Sequence, residues 1–153
     1  MLRVDLRGGV VADLPAVDAI MQAAFDPHFG EAWTRNQVLG LLATPGVWLT
    51  LATIGPDPAG FALSRRVLDE AELLLLATVP AFRRRGVGAA LLRSVIADSA
   101  TQGARTLLLE VRGGNDAIKL YRSAGFVKVG ERHQYYRGPA GQAFDALTYR
   151  RDL

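Results

Sequence analysis

The sequence predicts an α/β fold, a central mixed sheet of about seven strands flanked by about four helices, in the order β-α-α-β-β-β-α-β-α-β-β. The order of elements predicts the sheet, because three antiparallel hairpin strands feed a strand–helix–strand crossover, which requires parallel neighbours. The apolar run at 73–79 predicts the centre of the sheet, since a strand that is apolar on both faces is covered on both. A length of 153 residues predicts a single domain, 1–153.

Capping and turn residues set the predicted boundaries in the first half of the chain. Asp13 is expected to cap a helix. Thr34 and Gln37 fit a capping box, with Trp33 at the position of a hydrophobic staple. The predicted elements are a strand at 3–7, helices at 14–25 and 34–44, strands at 47–54 and 61–68, and a turn at 55–60 between these strands.

The second half begins with the buried strand, predicted at 71–79 and ended by Pro80. Apolar residues at helical spacing then predict a helix at 86–100, with Gly103 as its stop. The remaining predicted elements are a buried strand at 106–112, a short helix from 115 or 116 to 124, and closing strands at 126–137 and 144–150 around a turn at 138–141.

Composition excludes several function classes. The chain has no Cys, which excludes disulfides, thiolate zinc sites and a Cys nucleophile, and its two His residues lie far apart in sequence. We therefore expect no metal. No apolar run reaches the roughly 18 residues of a membrane span, and the start does not resemble a signal peptide, so we expect a cytoplasmic protein. The net charge of +3 does not predict a nucleic-acid footprint.

The one dense basic cluster follows the buried strand. Here Arg83, Arg84 and Arg85 precede Gly86 and Gly88, and a helix starts at once. Helix N-termini present unpaired N–H groups, and glycines let a ligand approach the backbone, so the junction suits a diphosphate. The alternative is a solvated Arg run before an ordinary helix. A P-loop is excluded because the Lys-Ser/Thr pair is missing, and a Rossmann fingerprint because the loop follows the fourth strand.

Glu110 is a carboxylate inside an otherwise apolar strand. Burial raises a carboxyl pKa, which suits a general base near neutral pH. An α-amino group has a pKa of about 8, so its attack on a thioester requires only one proton to be removed. The alternative is an ion pair of Glu110 with Arg112 or Arg105. Glu72, on the neighbouring strand, is the second candidate for the base.

The segment 83–88 resembles the Gln/Arg-x-x-Gly-x-Gly/Ala loop of the GNAT superfamily of N-acetyltransferases. Within this superfamily the chain is most similar to the bacterial ribosomal-protein-alanine N-acetyltransferases, the RimI type. The similarity extends over most of the chain from about residue 20. The similar segments are 33–34, 67–71, 83–88, 109–112, 120–126 and 135–136.

The resemblance implies a GNAT-like fold, acetyl-CoA as co-substrate and direct attack by an amine in a ternary complex. It assigns Glu110 as proton acceptor and Tyr121 as the acid that protonates the CoA thiolate, and it makes Asn115 a cofactor contact. From the residues alone, the alternatives are that Tyr121 is a packed aromatic and that Asn115 is an N-cap. The pyrophosphate would lie on the backbone of Arg84, Arg85, Gly86, Val87, Gly88 and Ala89, near the Arg side chains, and the pantetheine along Leu76, Ala77 and Thr78.

The chain departs from the family pattern in two places. One residue is missing between Asn115 and Tyr121, and a loss from the first helical turn would leave Tyr121 in place and disturb Asn115. Phe144 stands where the family often has Glu, which affects the acceptor side. Tyr135 and Tyr136 either border the acceptor groove or alternate between core and surface.

The expected function is transfer of acetyl from acetyl-CoA to the α-amino group of a protein N-terminus, by resemblance the N-terminal alanine of a ribosomal protein. One alternative is a GNAT enzyme that acetylates a small amine or an antibiotic. Another is a non-catalytic acyl-CoA-binding module, and a weaker one is RNA binding by the Arg cluster. The expected partner is the acceptor chain, with the enzyme a monomer or weak dimer that binds neither nucleic acid nor membrane.

Overall fold

In the computed structural model, which describes residues 3–153, seven strands form one mixed sheet in the order β1-β2-β3-β4-β5-β7-β6. The predicted class, number and order of elements are confirmed. The strands are β1 (Val4–Gly8), β2 (Val47–Ile54), β3 (Asp57–Val67), β4 (Glu70–Thr78), β5 (Thr106–Arg112), β6 (Val127–Arg137) and β7 (Ala143–Asp152). The α-helices are α1 (Leu14–Ala24), α2 (Arg35–Leu42), α3 (Val87–Thr101) and α4 (Ala117–Ser123).

The sheet consists of two antiparallel parts joined by one parallel pair. Strands β1 to β4 form an antiparallel meander, and β7 pairs antiparallel with both β5 and β6. The crossover through α3 makes β4 and β5 parallel neighbours, as predicted. None of the helices within residues 3–153 is long and apolar enough to cross a membrane.

Each face of the sheet carries its own apolar core. Helices α3 and α4 cover one face, where Leu91, Val95 and Tyr121 pack against Leu107 and Leu109. Helices α1 and α2 cover the first strands on the other face, with Val17, Met21, Val38 and Phe61 among the buried side chains. The two cores fix the helices on opposite faces of the sheet, with β4 and β5 between them.

Two predicted boundaries in the first half are wrong for local reasons. Asp13 does not cap α1 with its side chain. Its carboxylate instead accepts the Val10 N–H at 2.8 Å and pairs with Arg7 at 2.7 Å. Strand β3 begins at Asp57 rather than 61, because the hairpin turn needs only Gly55 and Pro56. The Thr34–Gln37 capping box is confirmed, with both reciprocal bonds present.

A one-residue bulge interrupts β4. Leu63 pairs with Leu75 and the next residue, Ser64, pairs with Leu73, so Leu74 is the extra residue. Leu73 therefore packs in the α3–α4 core while Leu75 packs in the α1–α2 core. The parallel pairing of β4 with β5 ends at the same point, with the pair of Leu73 and Leu109. Beyond it the two strands separate.

Gly60 allows α3 to approach the sheet next to this separation. A Cβ at Gly60 would lie 2.6 Å from the Ala77 carbonyl oxygen and 2.9 Å from a Val87 methyl group.

We expect Gly60→Ala to lower the free energy of unfolding by about 1–3 kcal/mol through overpacking. Gly40→Ala is the matched control, because a Cβ there meets nothing within 4 Å. It should raise stability by about 0.5–1 kcal/mol, since Ala favours the helix. Urea unfolding measures the change in the free energy of unfolding for both variants. Equal changes in Gly60→Ala and Gly40→Ala would contradict the close approach of α3 to Gly60.

Candidate active site

A cleft of about 970 Å³ opens where β4 and β5 separate. Its walls are β4, the loop from β4 to α3, the end of β5 and the start of α4. On the α1–α2 face it is bounded by the loop of residues 25–34, called here the α1–α2 loop, and by Arg132, Tyr135 and Tyr136 of β6. The cleft therefore passes through the sheet, with lining residues from both faces.

The β4 wall presents backbone polar groups. The Val79 N–H donates to the Ala59 carbonyl at 2.9 Å, on the β3 side. Peptide groups alternate along a strand, so the N–H groups of Leu76 and Thr78 point away from β3 and into the cleft. Of the three predicted residues, Ala77 directs its N–H toward β3 and its side chain into the α1–α2 core. Leu76 and Thr78 thus supply the free backbone groups.

The start of α3 forms a second wall. Gly86 has a φ of 82°, a left-handed conformation that glycine adopts without strain, and α3 follows it directly. The first helical hydrogen bond joins the Ala90 N–H to the Gly86 carbonyl at 2.9 Å. The N–H groups of Val87, Gly88 and Ala89 precede that bond and have no carbonyl partner four residues back. The junction thus carries the features of an anion site that the sequence predicted.

The three arginines of the loop do not act as one cluster. Arg83 donates to the Ala24 carbonyl at 2.9 Å and ties the loop to the end of α1. Arg85 lies with its guanidinium 5.6 Å from the centre of the Phe82 ring, away from the cleft lining. Arg84 is the member that lines the cleft without such a contact to Ala24 or Phe82. Arg83 and Arg84 thus line the cleft and Arg85 does not, and the placing of all three guanidiniums beside one anion stays a prediction.

Glu110 reaches the cleft from the α1–α2 face. Its neighbours Leu109 and Val111 pack in the α3–α4 core, so the Glu110 side chain points to the opposite face. It remains 26% exposed and pairs with Arg132, Nη2 to Oε1, at 3.3 Å. The alternative considered from the sequence, an ion pair with Arg112 or Arg105, is wrong in its partner, which is Arg132. Glu72, the second candidate, pairs with Arg65 directly opposite on β3 at 2.5 Å.

Two tyrosines line the cleft near Glu110. Tyr121 is buried in α4 and packs edge to face on Phe126, so the packed-aromatic alternative also describes it. Burial raises the pKa of Tyr121 well above 10, and Tyr136 and the negative charge of Glu31 add to the shift. The pKa of Tyr136 is also raised, by burial first and then by Glu110. Both hydroxyls therefore stay protonated at neutral pH.

Asn115 is occupied by protein contacts. Its Oδ1 accepts the Ala117 N–H at 2.8 Å, which caps α4, and its Nδ2 donates to Glu31 Oε2 at 3.0 Å. The capping alternative is thus confirmed. Asn115 also lines the cleft, so the cofactor contact expected from the resemblance stays a prediction.

Glu31 is a cleft residue that sequence reasoning missed. Besides Asn115, it accepts a hydrogen bond from Arg112 Nε at 3.1 Å, and the guanidinium of Arg112 lies 3.6 Å from the centre of the Phe29 ring. Glu31 lies 81 residues before Arg112 in the chain, in a segment without strong periodicity. No local sequence signal therefore pointed to this contact.

The β6–β7 hairpin holds the α1–α2 loop in place. Gly30 packs on the Arg137 carbonyl and Gly138 on the His28 carbonyl, where side chains would collide with backbone. Phe144 packs edge to face on Phe29, with ring centres 5.1 Å apart. The departure from the family pattern at position 144 thus replaces a carboxylate with an apolar support for the loop.

Within residues 3–153 no group of three or more His, Asp or Glu side chains is placed to hold a metal ion.

The chain matches the acetyltransferase (GNAT) family over residues 14–126. It is 40% identical over 125 residues to a [ribosomal protein bS18]-alanine N-acetyltransferase of Salmonella typhimurium, which covers 81% of each chain. It is 40% identical over 132 residues to N-alpha-acetyltransferase RimI of Mycobacterium tuberculosis, covering 83% of this chain and 77% of that protein.

Among solved structures, the fold is similar to that of the ribosomal-protein-S18-alanine N-acetyltransferase from Escherichia coli. The TM-score is 0.87 at 32% identity, and the alignment covers 98% of this chain and 94% of that one. The similarity therefore extends through the strands, helices and loops that form the cleft.

The buried Tyr121 hydroxyl predicts a loss of stability at alkaline pH. Its pKa is raised in the folded protein, so above about pH 10 the unfolded chain releases a proton that the folded protein keeps. The free energy of unfolding should then fall by up to about 1.4 kcal/mol per pH unit from this group. Urea unfolding of the wild type and Tyr121→Phe should show a constant difference below the ordinary phenol pKa. The difference in the free energy of unfolding should change above the ordinary phenol pKa. A difference that stayed constant at every pH would contradict the burial of the Tyr121 hydroxyl.

Proposed function

The chain belongs to the acetyltransferase (GNAT) family, and we propose that it transfers acetyl from acetyl-CoA to the α-amino group of a protein N-terminus. The proposed acceptor is a ribosomal protein that begins with alanine. One observation carries the mechanism. The cleft passes through the sheet, with Glu110 on the α1–α2 face and Tyr121 on the α3–α4 face. A proton acceptor and a proton donor thus flank one channel from opposite sides.

The α3–α4 face suits the phosphates of acetyl-CoA. The N–H groups of Val87, Gly88 and Ala89 lie at a helix N-terminus, where the partial positive charge favours anions. A Cβ at Gly88 would lie 3.3 Å from a Leu120 methyl carbon, so the glycine lets the start of α3 lie close to α4. Arg84 adds a guanidinium at the same wall. These residues would hold the pyrophosphate.

The exposed edge of β4 would hold the pantetheine arm. Leu76 and Thr78 point backbone groups into the gap that β5 leaves, and an amide-containing chain can pair there as a strand does. The same N–H groups would stabilise the negative charge that develops on the thioester oxygen during attack. Acetyl-CoA supplies the activated acyl carbon of the reaction.

Glu110 is the proposed proton acceptor. The amine nitrogen bonds to the thioester carbon, the carbon–sulfur bond breaks, and one proton leaves the nitrogen. Glu110 faces the opening through which the acceptor enters and is accessible to an amine or a bridging water. Arg132, with Nη2 3.3 Å from Oε1 of Glu110, orients the carboxylate.

Tyr121 is the proposed donor to the departing thiolate. Its raised pKa keeps the hydroxyl protonated, so a hydrogen bond to the sulfur is available throughout the neutral range. Proton transfer from such a phenol to a thiolate with a pKa near 8.5 is uphill. The main effect of Tyr121 is therefore to stabilise the negative charge on sulfur as the bond breaks.

The acceptor assignment rests on the relatives and on the shape of the entrance. Proteins named as ribosomal protein bS18-alanine and S18-alanine N-acetyltransferases match this chain at 40% and 32% identity. On the acceptor face the cleft is lined by the α1–α2 loop and by the exposed Tyr135. An extended peptide would enter between them behind its N-terminal residue.

We expect Glu110→Gln to lower kcat at neutral pH by about a hundredfold or more, because the proton acceptor is lost. Thiol release from acetyl-CoA with an Ala-starting peptide measures turnover. Glu131→Gln is the matched control, since this residue pairs with Lys128 outside the cleft and should leave kcat unchanged. A large loss in Glu72→Gln together with a small one in Glu110→Gln would transfer the role to Glu72.

The acceptor is tested with the wild-type protein. We expect thiol release with peptides that carry a free N-terminal alanine, and none with the same peptides after N-terminal blocking or with polyamines and aminoglycosides. Mass spectrometry of the product locates the acetyl group. Release with polyamines or aminoglycosides alone would keep the chemistry and discard the protein acceptor. Tight CoA binding without turnover on any acceptor would favour a binding module.

A further inference from the structure

Glu31, Arg112 and Asn115 form a polar network at the acceptor end of the cleft, called here the Glu31 network. Each carboxylate oxygen of Glu31 accepts one bond, from Arg112 Nε at 3.1 Å and from Asn115 Nδ2 at 3.0 Å. The side chains of Arg112 and Glu31 are only 12% and 11% exposed. Of the ion pairs within residues 3–153, this one is the most buried.

The network joins three separate parts of the cleft. Glu31 belongs to the α1–α2 loop, Arg112 ends β5 two residues after Glu110, and Asn115 caps α4, which carries Tyr121. The network stabilises the fold only while its three side chains keep their positions, because a buried charge pair is stable only when both partners keep their hydrogen bonds. A shift of any one part therefore breaks contacts in the other two.

The shortened connection between β5 and α4 makes this link necessary. Only residues 113–116 separate the strand from the helix, and α4 itself has seven residues. A helix of two turns is held in place by its packing and its cap rather than by its own hydrogen bonds. Asn115 supplies the cap with Oδ1, and Glu31 fixes the orientation of the same amide through Nδ2.

We propose that Glu31 is a positioning residue for Tyr121. By holding Asn115 and Arg112 it fixes the first turn of α4 against the end of β5, and so keeps the Tyr121 hydroxyl at the position of the leaving sulfur. The inference rests on the function proposed above for Tyr121. It gives the α1–α2 loop, on the acceptor face, a direct structural connection to the group that assists departure on the other face.

The test is a double-mutant cycle of Glu31→Gln and Tyr121→Phe, measured as kcat with an Ala-starting peptide. We expect Glu31→Gln alone to lower kcat by roughly 10- to 100-fold, as a small misplacement of a reacting group does. The KM for acetyl-CoA should stay unchanged, because α3 and β4 are untouched. In the Tyr121→Phe background, Glu31→Gln should lower kcat by less than about twofold, since the two changes remove one effect.

Asp13→Asn is the matched control. Asp13 also holds an arginine in an ion pair, with Arg7 at 2.7 Å, but the Arg7 side chain is 53% exposed and Asp13 lies outside the cleft. It should lower stability and leave kcat unchanged. Independent, multiplicative effects of Glu31→Gln and Tyr121→Phe would overturn the inference. So would a Glu31→Gln variant that, like the control, loses only stability.

A second readout does not depend on turnover. Hydrogen exchange at the amides of Ala117 to Tyr121 should be at least about tenfold faster in Glu31→Gln than in the wild type, because the cap loses its support. Equal exchange rates would overturn the inference even if no acceptor were found. Should Glu31→Gln fail to fold, Asn115→Asp keeps the oxygen that caps Ala117 and places a second carboxylate against Glu31. The same kinetic and exchange results are expected.

Discussion

The single extra residue in β4 is the constraint on which the site depends. Leu74 shifts the register against β3, and a bulge bends its strand and increases the local twist. Parallel pairing with β5 stops at Leu73, and the free edge of β4 becomes one wall of the cleft. The bulge also reverses the alternation of side chains along β4, so that Leu73 faces α3 and α4 while Leu75 faces α1 and α2. Both cores stay filled although the strands part, so the opening does not leave an apolar gap.

An opening through the centre of a sheet separates the two halves of the chemistry. In the proposed mechanism, the α3 N-terminus and Tyr121 offer hydrogen-bond donors on one face to an anionic co-substrate and its leaving sulfur. On the other face, Glu110, paired with Arg132, is the proposed acceptor of the proton from an entering amine. Donors and acceptor would neutralise one another if they lay side by side, and the β5 backbone keeps them apart. In the proposed mechanism the amine attacks from one face and the sulfur leaves toward the other.

The sequence predicted what depends on local patterns. The element order, the capping box at Thr34 and the helix start at Gly86 follow from side-chain spacing and turn chemistry, and the structure confirms them. Long-range side-chain partners could not be predicted. Glu110 pairs with Arg132, and Arg83 binds the Ala24 carbonyl 59 residues away, because the fold, and not the spacing, brings them together. The bulge at Leu74 was equally hidden, since a uniformly apolar run does not show where its faces reverse.

Asn115 shows how a missing residue can be accommodated without loss of the site. In the shorter connection the Asn115 amide caps α4 and bonds to Glu31, and the residue still lines the cleft. The internal register from Tyr121 to Phe126 is kept, and the two rings still pack 6.0 Å apart. A deletion in the first turn thus changes the cap, while a deletion inside the helix would rotate Tyr121 by about 100° out of the cleft. The position of the missing residue, rather than the number of residues lost, decides whether Tyr121 keeps its place in the cleft.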